Sequence, residues 1–326
     1  MSMTTSPLLE VRDLKVEFLR DGKAVAPVDS VSFTLQANQT LGLLGESGCG
    51  KSVTALSILR LFPMASKARL SGSVRFRGQD LLQADEARLR ALRGKDIAMI
   101  FQEPMTSLNP LHRIGDQLGE MLRMHTSLDR KQITEQSIAM LKRVGLPRAE
   151  QLIDDYPHSL SGGMRQRVMI AMALLCNPGV LICDEPTTAL DVTIQAQILD
   201  LMRDLKEQQG TAILMITHDL GVVAEMCERV VVMYAGQIVE ESSVRDLFDA
   251  PAHPYTTALM RARPTLAAKP GQPLLAIPGM VPPPGSINSG CRFAARCPKA
   301  DAYCRAQMPE LTEVAPGHLA RCWYPG

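Results

Sequence analysis

One glycine-rich loop constrains this chain more than any other feature, because of what flanks it. The apolar run at 40–44 predicts a buried strand, and the segment from Ser52 to Leu61 has apolar residues on one face of a helix. The pattern G-x-x-x-x-G-K-[ST] lies between them as Gly45-Glu46-Ser47-Gly48-Cys49-Gly50-Lys51-Ser52. A strand, such a loop and a helix in this order predict an α/β fold in which backbone amides wrap a phosphate group.

The last two residues of the loop have the chemistry that a nucleoside triphosphate requires. Lys51 is predicted to reach the β- and γ-phosphates, and the Ser52 hydroxyl to ligate Mg²⁺. A chance glycine-rich turn would not combine a strand, a lysine, a hydroxyl and a helix. We therefore expect the whole loop to contact a bound nucleotide.

A second glycine turn, Leu160-Ser161-Gly162-Gly163-Met164-Arg165-Gln166-Arg167, opens a long apolar helix. The Ser161 side chain and the amides of Gly162 and Gly163 predict another helix N-terminus that can hold an anion. Two phosphate sites, one far downstream of the other, indicate that phosphate is gripped from two sides.

The strand that follows this helix ends in two acids, within Leu181-Ile182-Cys183-Asp184-Glu185-Pro186. Asp184 is predicted to help hold Mg²⁺ through its water shell, and Glu185 to orient or deprotonate the attacking water. Surface acids at a strand end are common by themselves. After two phosphate motifs in this order, the catalytic interpretation is favoured.

The rest of the first 250 residues alternates between strand and helix patterns. Helical periodicity over 114–124 and 131–144, with Gly145 as a stop, predicts a helical insertion between about 107 and 156. The alternation predicts a mostly parallel core sheet with ligands at its carboxyl edge. Strands are predicted at 8–18, 28–35, 72–76, 97–101, 180–183, 212–216, 230–234 and 237–240.

Composition excludes several classes of protein. The net charge is +1, from 35 basic and 34 acidic residues, so nothing indicates a nucleic-acid binding surface. Residues 1–15 lack the pattern of a secretory signal. The longest apolar run, Val168 to Cys183, is broken by Asn177-Pro178-Gly179 and is too short to span a bilayer. We expect a soluble cytosolic chain unless a partner holds it at a membrane.

Together these motifs resemble those of the nucleotide-binding subunits of ABC transporters. The resemblance implies that Gln102 senses Mg²⁺ and water, that His218 donates to the γ-phosphate, and that Asp191 touches the opposite subunit's site. It also implies that Phe18 stacks on adenine, although a core position would equally suit that residue.

Two further runs are similar to the oligopeptide/dipeptide permease ATPase subfamily. They are Met105-Thr106-Ser107-Leu108-Asn109-Pro110, directly after Gln102-Glu103-Pro104, and His253-Pro254-Tyr255-Thr256. Two residues depart from the general ABC pattern in ways that look like traits of this subfamily: Met164 stands where glutamine is usual, and Met172 where arginine is common. Both departures leave the Ser161 and glycine contacts intact.

The resemblance implies an overall organisation. It predicts an ABC-type P-loop nucleotide-binding domain over 1–250, with a mixed core sheet, an antiparallel edge sheet and a helical subdomain at about 105–165, and a small irregular region over 251–326. Two such subunits, the second a related but distinct chain, would clasp ATP head to tail. Two membrane-spanning subunits would form the channel, and an external binding protein would deliver the solute. The chain would then lie on the cytoplasmic face of the inner membrane.

The tail from Pro251 onward has an unusual composition. It holds thirteen of the 22 prolines, which argues against a continued sheet. Half of the eight cysteines lie in it with the spacing C-x5-C-x6-C-x17-C, which in a cytosolic chain indicates a metal rather than disulfides. These four are Cys291, Cys297, Cys304 and Cys322.

Either zinc or an iron–sulfur cluster would suit four thiolates, but the spacing lacks the paired C-x-x-C steps of zinc ribbons. The subfamily has a tail of this kind that can carry a [4Fe–4S] centre, and we favour the cluster. The remaining notable cysteine is Cys49, because a thiol beside a helix N-terminus is predicted to have a lowered pKa. We expect alkylation there to inactivate the enzyme and ATP to protect it.

Two rival functions stay open. A soluble ABC ATPase of DNA repair or translation would carry long coiled coils or two ATPase units, whereas this chain has one unit and a short helical insertion. An iron–sulfur protein with a secondary, redox-regulated ATPase is the other. The sequence does not name the cargo, so peptides, nickel chelates and glutathione-like compounds all fit.

Overall fold

A computed structural model of the 326-residue chain describes residues 6–20, 22–63, 66–102, 107–187, 191–262, 277–287 and 289–326. The described residues form both helices and strands. In chain order these are β1 (Leu9–Arg20), β2 (Lys23–Leu35), β3 (Thr40–Leu44), α1 (Lys51–Ile58), β4 (Arg69–Phe76), β5 (Gln79–Asp80), α2 (Glu86–Leu92), β6 (Ile97–Ile100), α3 (Ile114–His125), α4 (Arg130–Arg143), α5 (Ala149–Leu152), α6 (Gly162–Leu174), β7 (Val180–Asp184), α7 (Val192–Gln209), β8 (Ala212–Thr217), α8 (Leu220–Met226), β9 (Arg229–Tyr234), β10 (Gln237–Ser243), α9 (Val244–Asp249), α10 (Pro254–Arg261), α11 (Ala302–Ala306), β11 (Thr312–Ala315) and β12 (His318–Ala320).

The chain divides into two compact units. Unit 1 comprises residues 1–34, 40–82 and 215–326, and unit 2 comprises residues 35–39 and 83–214. The run 103–106, in which the permease-like motif begins, lies outside the described residues, as does 188–190. Where the described helices are concerned, none is both long enough and apolar enough to cross a bilayer.

Unit 1 contains the predicted antiparallel sheet, with the strand order β2-β1-β4-β5. The part of its second sheet that belongs to this unit has the order β11-β12-β10-β9-β3-β8. It is mixed, since β3 runs parallel to β9 while β10 is antiparallel to β9 and β12. All five residues of β3 are buried, which suits a strand that carries three leucines and no charged residue. The mixed core sheet and its antiparallel companion are both confirmed.

Helix α1 follows β3 as predicted, but it ends at Ile58 rather than at Leu61. The chain leaves the helix because Arg60 adopts a left-handed conformation with φ of 51°. The backbone amide of Leu61 then donates to Leu56 O at 2.9 Å, which satisfies one of the last carbonyls of the helix.

Unit 2 contains the predicted helical insertion. Helix α4 begins with a capping box between Asp129 and Gln132, and Gly145 follows its end with φ of 72°. The buried strands β6 and β7 run parallel, and the Ala212 amide at the start of β8 donates to Gly179 O at 2.9 Å. The α/β character of this unit is therefore confirmed.

The prediction that the proline-rich tail does not continue the sheet is wrong. Strand β12 pairs antiparallel with β10, with Ala320 opposite Glu240, and β11 pairs with β12. The pairing is possible because only one proline, Pro316, lies between 310 and 320, and it falls in the turn between the two strands. The boundary expected at residue 250 stays a prediction.

Candidate functional site

The phosphate loop connects β3 with α1, and its backbone fits tightly against β2. Gly50 has a φ of 109°, and a Cβ atom there would lie 2.5 Å from Pro27 O, so only glycine fits. No side chain caps α1, and its first turn contains no acid. Neither a side-chain cap nor an acid in this turn therefore competes with an anion for this helix end.

Lys51 is the buried cation of this loop. Its side chain Nζ donates to Gly45 O at 2.7 Å and to Glu46 O at 3.0 Å, and the residue is 5% exposed. Two carbonyl groups thus hold the ammonium over the loop, where phosphate oxygens could replace them as acceptors.

The pKa of the Cys49 thiol does not shift in the direction that its position predicts. The residue is fully buried, and burial raises the pKa of the Cys49 thiol, with the nearby Lys51 charge opposing this only in part. The predicted lowering of this pKa is wrong, because desolvation of the thiolate outweighs the cation and the helix end.

A cavity of about 530 Å³ lies at the start of the loop, within unit 1. Gly45 and Glu46 line it together with His218 and Asp219, which follow β8. The exposed His218 therefore lies beside the loop, and Asp219 caps α8 by accepting from the Gly221 amide at 2.7 Å. The structure brings this histidine and the loop together, while its catalytic role stays a prediction.

Phe18 lies within β1, two residues before the strand ends, and is half-buried. Its ring packs edge to face on Phe62, with centroids 5.6 Å apart. No sequence pattern indicates this role for Phe62, because that residue follows α1 and meets β1 only in the folded chain. Adenine stacking at Phe18 stays a prediction.

In unit 2 the two acids at the end of β7 differ in their surroundings. Asp184 is 4% exposed and completes the strand, whereas Glu185 is half-buried and has a φ of 50°. A left-handed glutamate is uncommon and carries backbone strain of about 1–3 kcal/mol. Gln102 Nε2 donates to Glu185 Oε2 at 3.1 Å, so the structure brings together two of the predicted catalytic residues.

The Ser161 turn also begins a helix, but it is open. Ser161 and Gly162 are exposed, and an added Cβ at Gly162 would meet no heavy atom of the described residues within 4 Å. The Ser161 hydroxyl accepts from the Met164 amide at 3.4 Å, and Gly163 follows in the first turn of α6 without an acid nearby. The turn presents a free face to an anion.

One residue of α6 was missed by the sequence analysis. The side chain of Gln166 is buried and its Nε2 donates to Pro186 O, directly after Glu185. A hydrogen bond thereby joins helix α6 to the residues that follow β7. The pattern offered no signal for this contact, since a glutamine in a mixed helix is ordinarily a surface residue.

Asp191 caps helix α7. Its side chain accepts from the Ile194 amide at 2.9 Å and is exposed. The cap explains an aspartate here without any nucleotide, so its contact with an opposite subunit stays a prediction.

The four tail cysteines line one cavity of about 10 Å³, together with apolar and aromatic side chains that include Phe293. Burial raises the pKa of the Cys291 thiol to about 11, and the charges of the other three thiols add to this. All eight cysteines lie within the described residues, and none of them forms a disulfide there. Within the described ranges, no group of three or more histidine, cysteine or acidic side chains has the arrangement of a metal-ion site.

Comparisons with known proteins agree with this geometry. A family model described as "ABC transporter" matches residues 28–188, and one described as "Oligopeptide/dipeptide transporter, C-terminal region" matches residues 239–304. A protein of Sinorhizobium fredii named as a probable peptide ABC transporter ATP-binding protein is 52% identical over 99% of this chain and 98% of its own length. The oligopeptide transport ATP-binding protein AppD of Bacillus subtilis is 49% identical, over 98% of this chain and 97% of its own.

A solved structure shows the same fold. A dimeric ATP-binding cassette bound to ADP and phosphate superposes with a TM-score of 0.66 at 24% identity, covering 73% of this chain and 99% of that one. The strand–loop–helix with its lysine and the acidic end of β7 define a P-loop ATPase of the ABC class. The chain belongs to the ABC transporter family, among the ATP-binding subunits of its oligopeptide/dipeptide branch.

Proposed function

We propose that this chain is the ATP-binding and ATP-hydrolysing subunit of a peptide importer and powers uptake through membrane subunits. The observation that carries hydrolysis is the hydrogen bond from Gln102 to Glu185 at the end of β7. It holds the carboxylate at the place where strand β7 ends, so that it can orient or deprotonate a water molecule. The two relatives named for peptide transport supply the cargo class.

The roles of the site residues follow from their chemistry. The backbone of the phosphate loop and Lys51 bind the phosphates, and His218 donates to the γ-phosphate. Ser52, Gln102 and Asp184 are the residues that would hold magnesium. When bound, that ion neutralises charge on the phosphate oxygens. Phe18 supplies an aromatic face for the base.

The exposed Ser161 turn is complementary to the γ-phosphate of a nucleotide held by a second subunit. We propose that ATP draws two such subunits together head to tail, with Asp191 at the shared contact, and that hydrolysis releases them. The second subunit is a related but distinct chain. The helical insertion passes the motion to two membrane-spanning subunits, and an external binding protein delivers the solute. In this proposal the chain lies at the cytoplasmic face of the inner membrane.

The four tail thiols are proposed to hold a [4Fe–4S] cluster, with zinc as the alternative. The support is that all four line the same apolar cavity while none forms a disulfide. Four thiolates are the ligand set of such a cluster, and a bound cluster would fold a segment with little regular structure. Anaerobic reconstitution with iron and sulfide tests this. A visible absorbance band that bleaches on reduction supports the cluster, and a stoichiometric zinc content without the band refutes it.

The proposed function is tested with Glu185→Gln. Losing the base is expected to lower ATP hydrolysis by about 10²- to 10⁴-fold while ATP binding persists. Cells carrying this variant in place of the natural chain are expected to stop taking up a labelled tripeptide, at an unchanged protein level. Asp154→Asn, on the exposed side of unit 2, serves as the control. Unchanged peptide uptake with Glu185→Gln would refute peptide import, and unchanged hydrolysis would refute the role of Glu185.

A further inference from the structure

An arginine from the cysteine-rich tail forms an ion pair with the phosphate loop. The guanidinium of Arg296 binds both carboxylate oxygens of Glu46, with Nη1 2.7 Å from Oε2 and Nη2 3.0 Å from Oε1. The side chain of Arg296 is 5% exposed and that of Glu46 is 28% exposed. This is the two-pronged geometry that makes arginine–carboxylate pairs strong and directional.

Arg296 is itself fixed on its other sides. Its Nε donates to Pro278 O at 2.8 Å, and its guanidinium lies 5.7 Å from the ring centroid of Tyr234 in β9. An arginine guanidinium stays protonated throughout the physiological pH range. Glu46 is therefore held by a rigid cation rather than by a mobile surface side chain.

A second arginine of the tail binds residues next to another contact of the loop. Arg292 follows Cys291, and it donates to Asp29 and to Ala235 O. The next amide, that of Gly236, donates to Cys49 O at 2.8 Å. Arg296, next to Cys297, thus binds the loop directly at Glu46. Arg292, next to Cys291, supports the strand-end residues that bind it at Cys49.

The permease-like motif of α10 completes this support. The Glu46 amide donates to the hydroxyl of Tyr255 at 2.8 Å, and Tyr255 is fully buried. The ring of Tyr255 packs on Phe293, 5.4 Å between centroids, and Phe293 lines the cysteine cavity. Both the backbone and the side chain of Glu46 are therefore bound by the C-terminal part of the chain.

We infer that Arg296 is a positioning residue for the phosphate loop, through which the cysteine-rich tail sets the affinity for nucleotide. The inference rests on the proposed nucleotide site. Arg296 acts in two ways, since it fixes the loop conformation and neutralises a carboxylate within the loop that would otherwise repel a triphosphate.

The test measures the affinity of the isolated full-length chain for a fluorescent ATP analogue with magnesium. Arg296→Gln is expected to weaken binding about tenfold, because it leaves the Glu46 carboxylate unpaired. The double variant Glu46→Gln/Arg296→Gln removes both charges and is expected to recover most of this loss, and Glu46→Gln completes the cycle. Arg305→Gln is the matched control, since Arg305 also follows a pocket cysteine but is exposed.

Two further readouts separate positioning from a general loss of structure. The defect of Arg296→Gln is expected to shrink as salt screens the repulsion, and in steady-state hydrolysis it is expected to raise KM while kcat at saturating ATP is kept. Arg296→Lys keeps the charge without the two-pronged geometry, so its affinity is expected to lie between those of the wild type and Arg296→Gln. If Arg296→Gln does not fold, Arg296→Lys replaces it in the cycle with Glu46→Gln.

The outcomes are distinct from those of the proposed function. A wild-type chain that fails to bind the analogue refutes the nucleotide site itself. A wild-type chain that binds it, together with Arg296→Gln binding equally well, refutes only the positioning role. Additive effects of the substitutions at 46 and 296 also refute it, because the two side chains would then act independently.

Discussion

The phosphate loop and the Ser161 turn are both helix N-termini without an acid in the first turn, but their surroundings differ. The loop is enclosed, since Lys51 is 5% exposed and Glu46 is held by Tyr255 and Arg296. The Ser161 turn is exposed, with empty space beside Gly162. One anion site is preorganised within the chain, while the other lacks a covering surface.

This difference indicates that the two sites bind phosphate under different conditions. An enclosed loop loses little conformational entropy when it binds phosphate, so a single chain is expected to hold nucleotide through that loop. At an open helix end, water screens the electrostatic attraction for an anion. That attraction becomes strong only when another surface excludes the water. The Ser161 turn is therefore expected to contribute only in an assembly of two subunits.

Lys51→Ala gives the largest expected effect and tests the enclosed site. It removes the two charge-assisted bonds that Lys51 would offer to phosphates, which corresponds to about a hundredfold loss of nucleotide affinity. Titration of the isolated chain with a fluorescent ATP analogue measures this. Lys131→Ala, an 85% exposed lysine on α4, is the control and is expected to bind as the wild type. Equal affinity for the two variants would show that the loop is not the binding site.

Ser161→Asp tests the open site and is expected to act only on the assembled form. The aspartate still caps α6, so the fold is kept, but its charge repels a nucleotide presented by another subunit. We expect hydrolysis at saturating ATP to fall at least about tenfold while nucleotide binding by the isolated chain is unchanged. Ser161→Asn caps the helix without a charge and serves as the matched control. If the isolated chain lost affinity with Ser161→Asp, the proposed division between the two sites would be wrong.

The smallest effect concerns the reactivity of Cys49. Only the thiolate is alkylated, and because burial raises the pKa of this thiol above its ordinary value, little thiolate exists at neutral pH. The alkylation rate at Cys49 is expected to be low at neutral pH and to rise about tenfold per pH unit beyond the ordinary thiol range. Mass spectrometry of the labelled peptide measures it, with Cys49→Ser locating the signal, and MgATP is expected to slow it further. A rate that levels off near neutral pH would show that the helix end outweighs burial.

The parts of the fold that the sequence predicted are those set by local pattern. The predicted strand at 40–44 has the bounds of β3, because a run of leucines indicates a strand buried on both faces. Helix α4 ends before Gly145 as predicted, because a glycine readily adopts the left-handed conformation that ends a helix. Helix α1 deviated only at its end, where the conformation of Arg60 depends on tertiary packing.

The supports of the site were not predictable, because they join residues far apart in the chain. Glu46 meets Tyr255 and Arg296 across 209 and 250 positions, and no local pattern encodes such a pair. The tail strands were missed for a related reason, since the average proline content of the tail hides the proline-poor stretch that pairs with β10. The left-handed Glu185 likewise reflects strain that propensity alone does not reveal.

Strand β10 also contains a fully buried carboxylate. Glu240 accepts from the amides of Ala252 and His253 at 2.7 and 2.9 Å, and the His318 ring lies 2.7 Å away. Burying a carboxylate without hydrogen-bond partners costs free energy, so the core around Glu240 depends on these three contacts. Strand β12 is thus part of the core, because His318 lies in it. An ATPase region that lacked β12 would bury Glu240 with only two of its three partners.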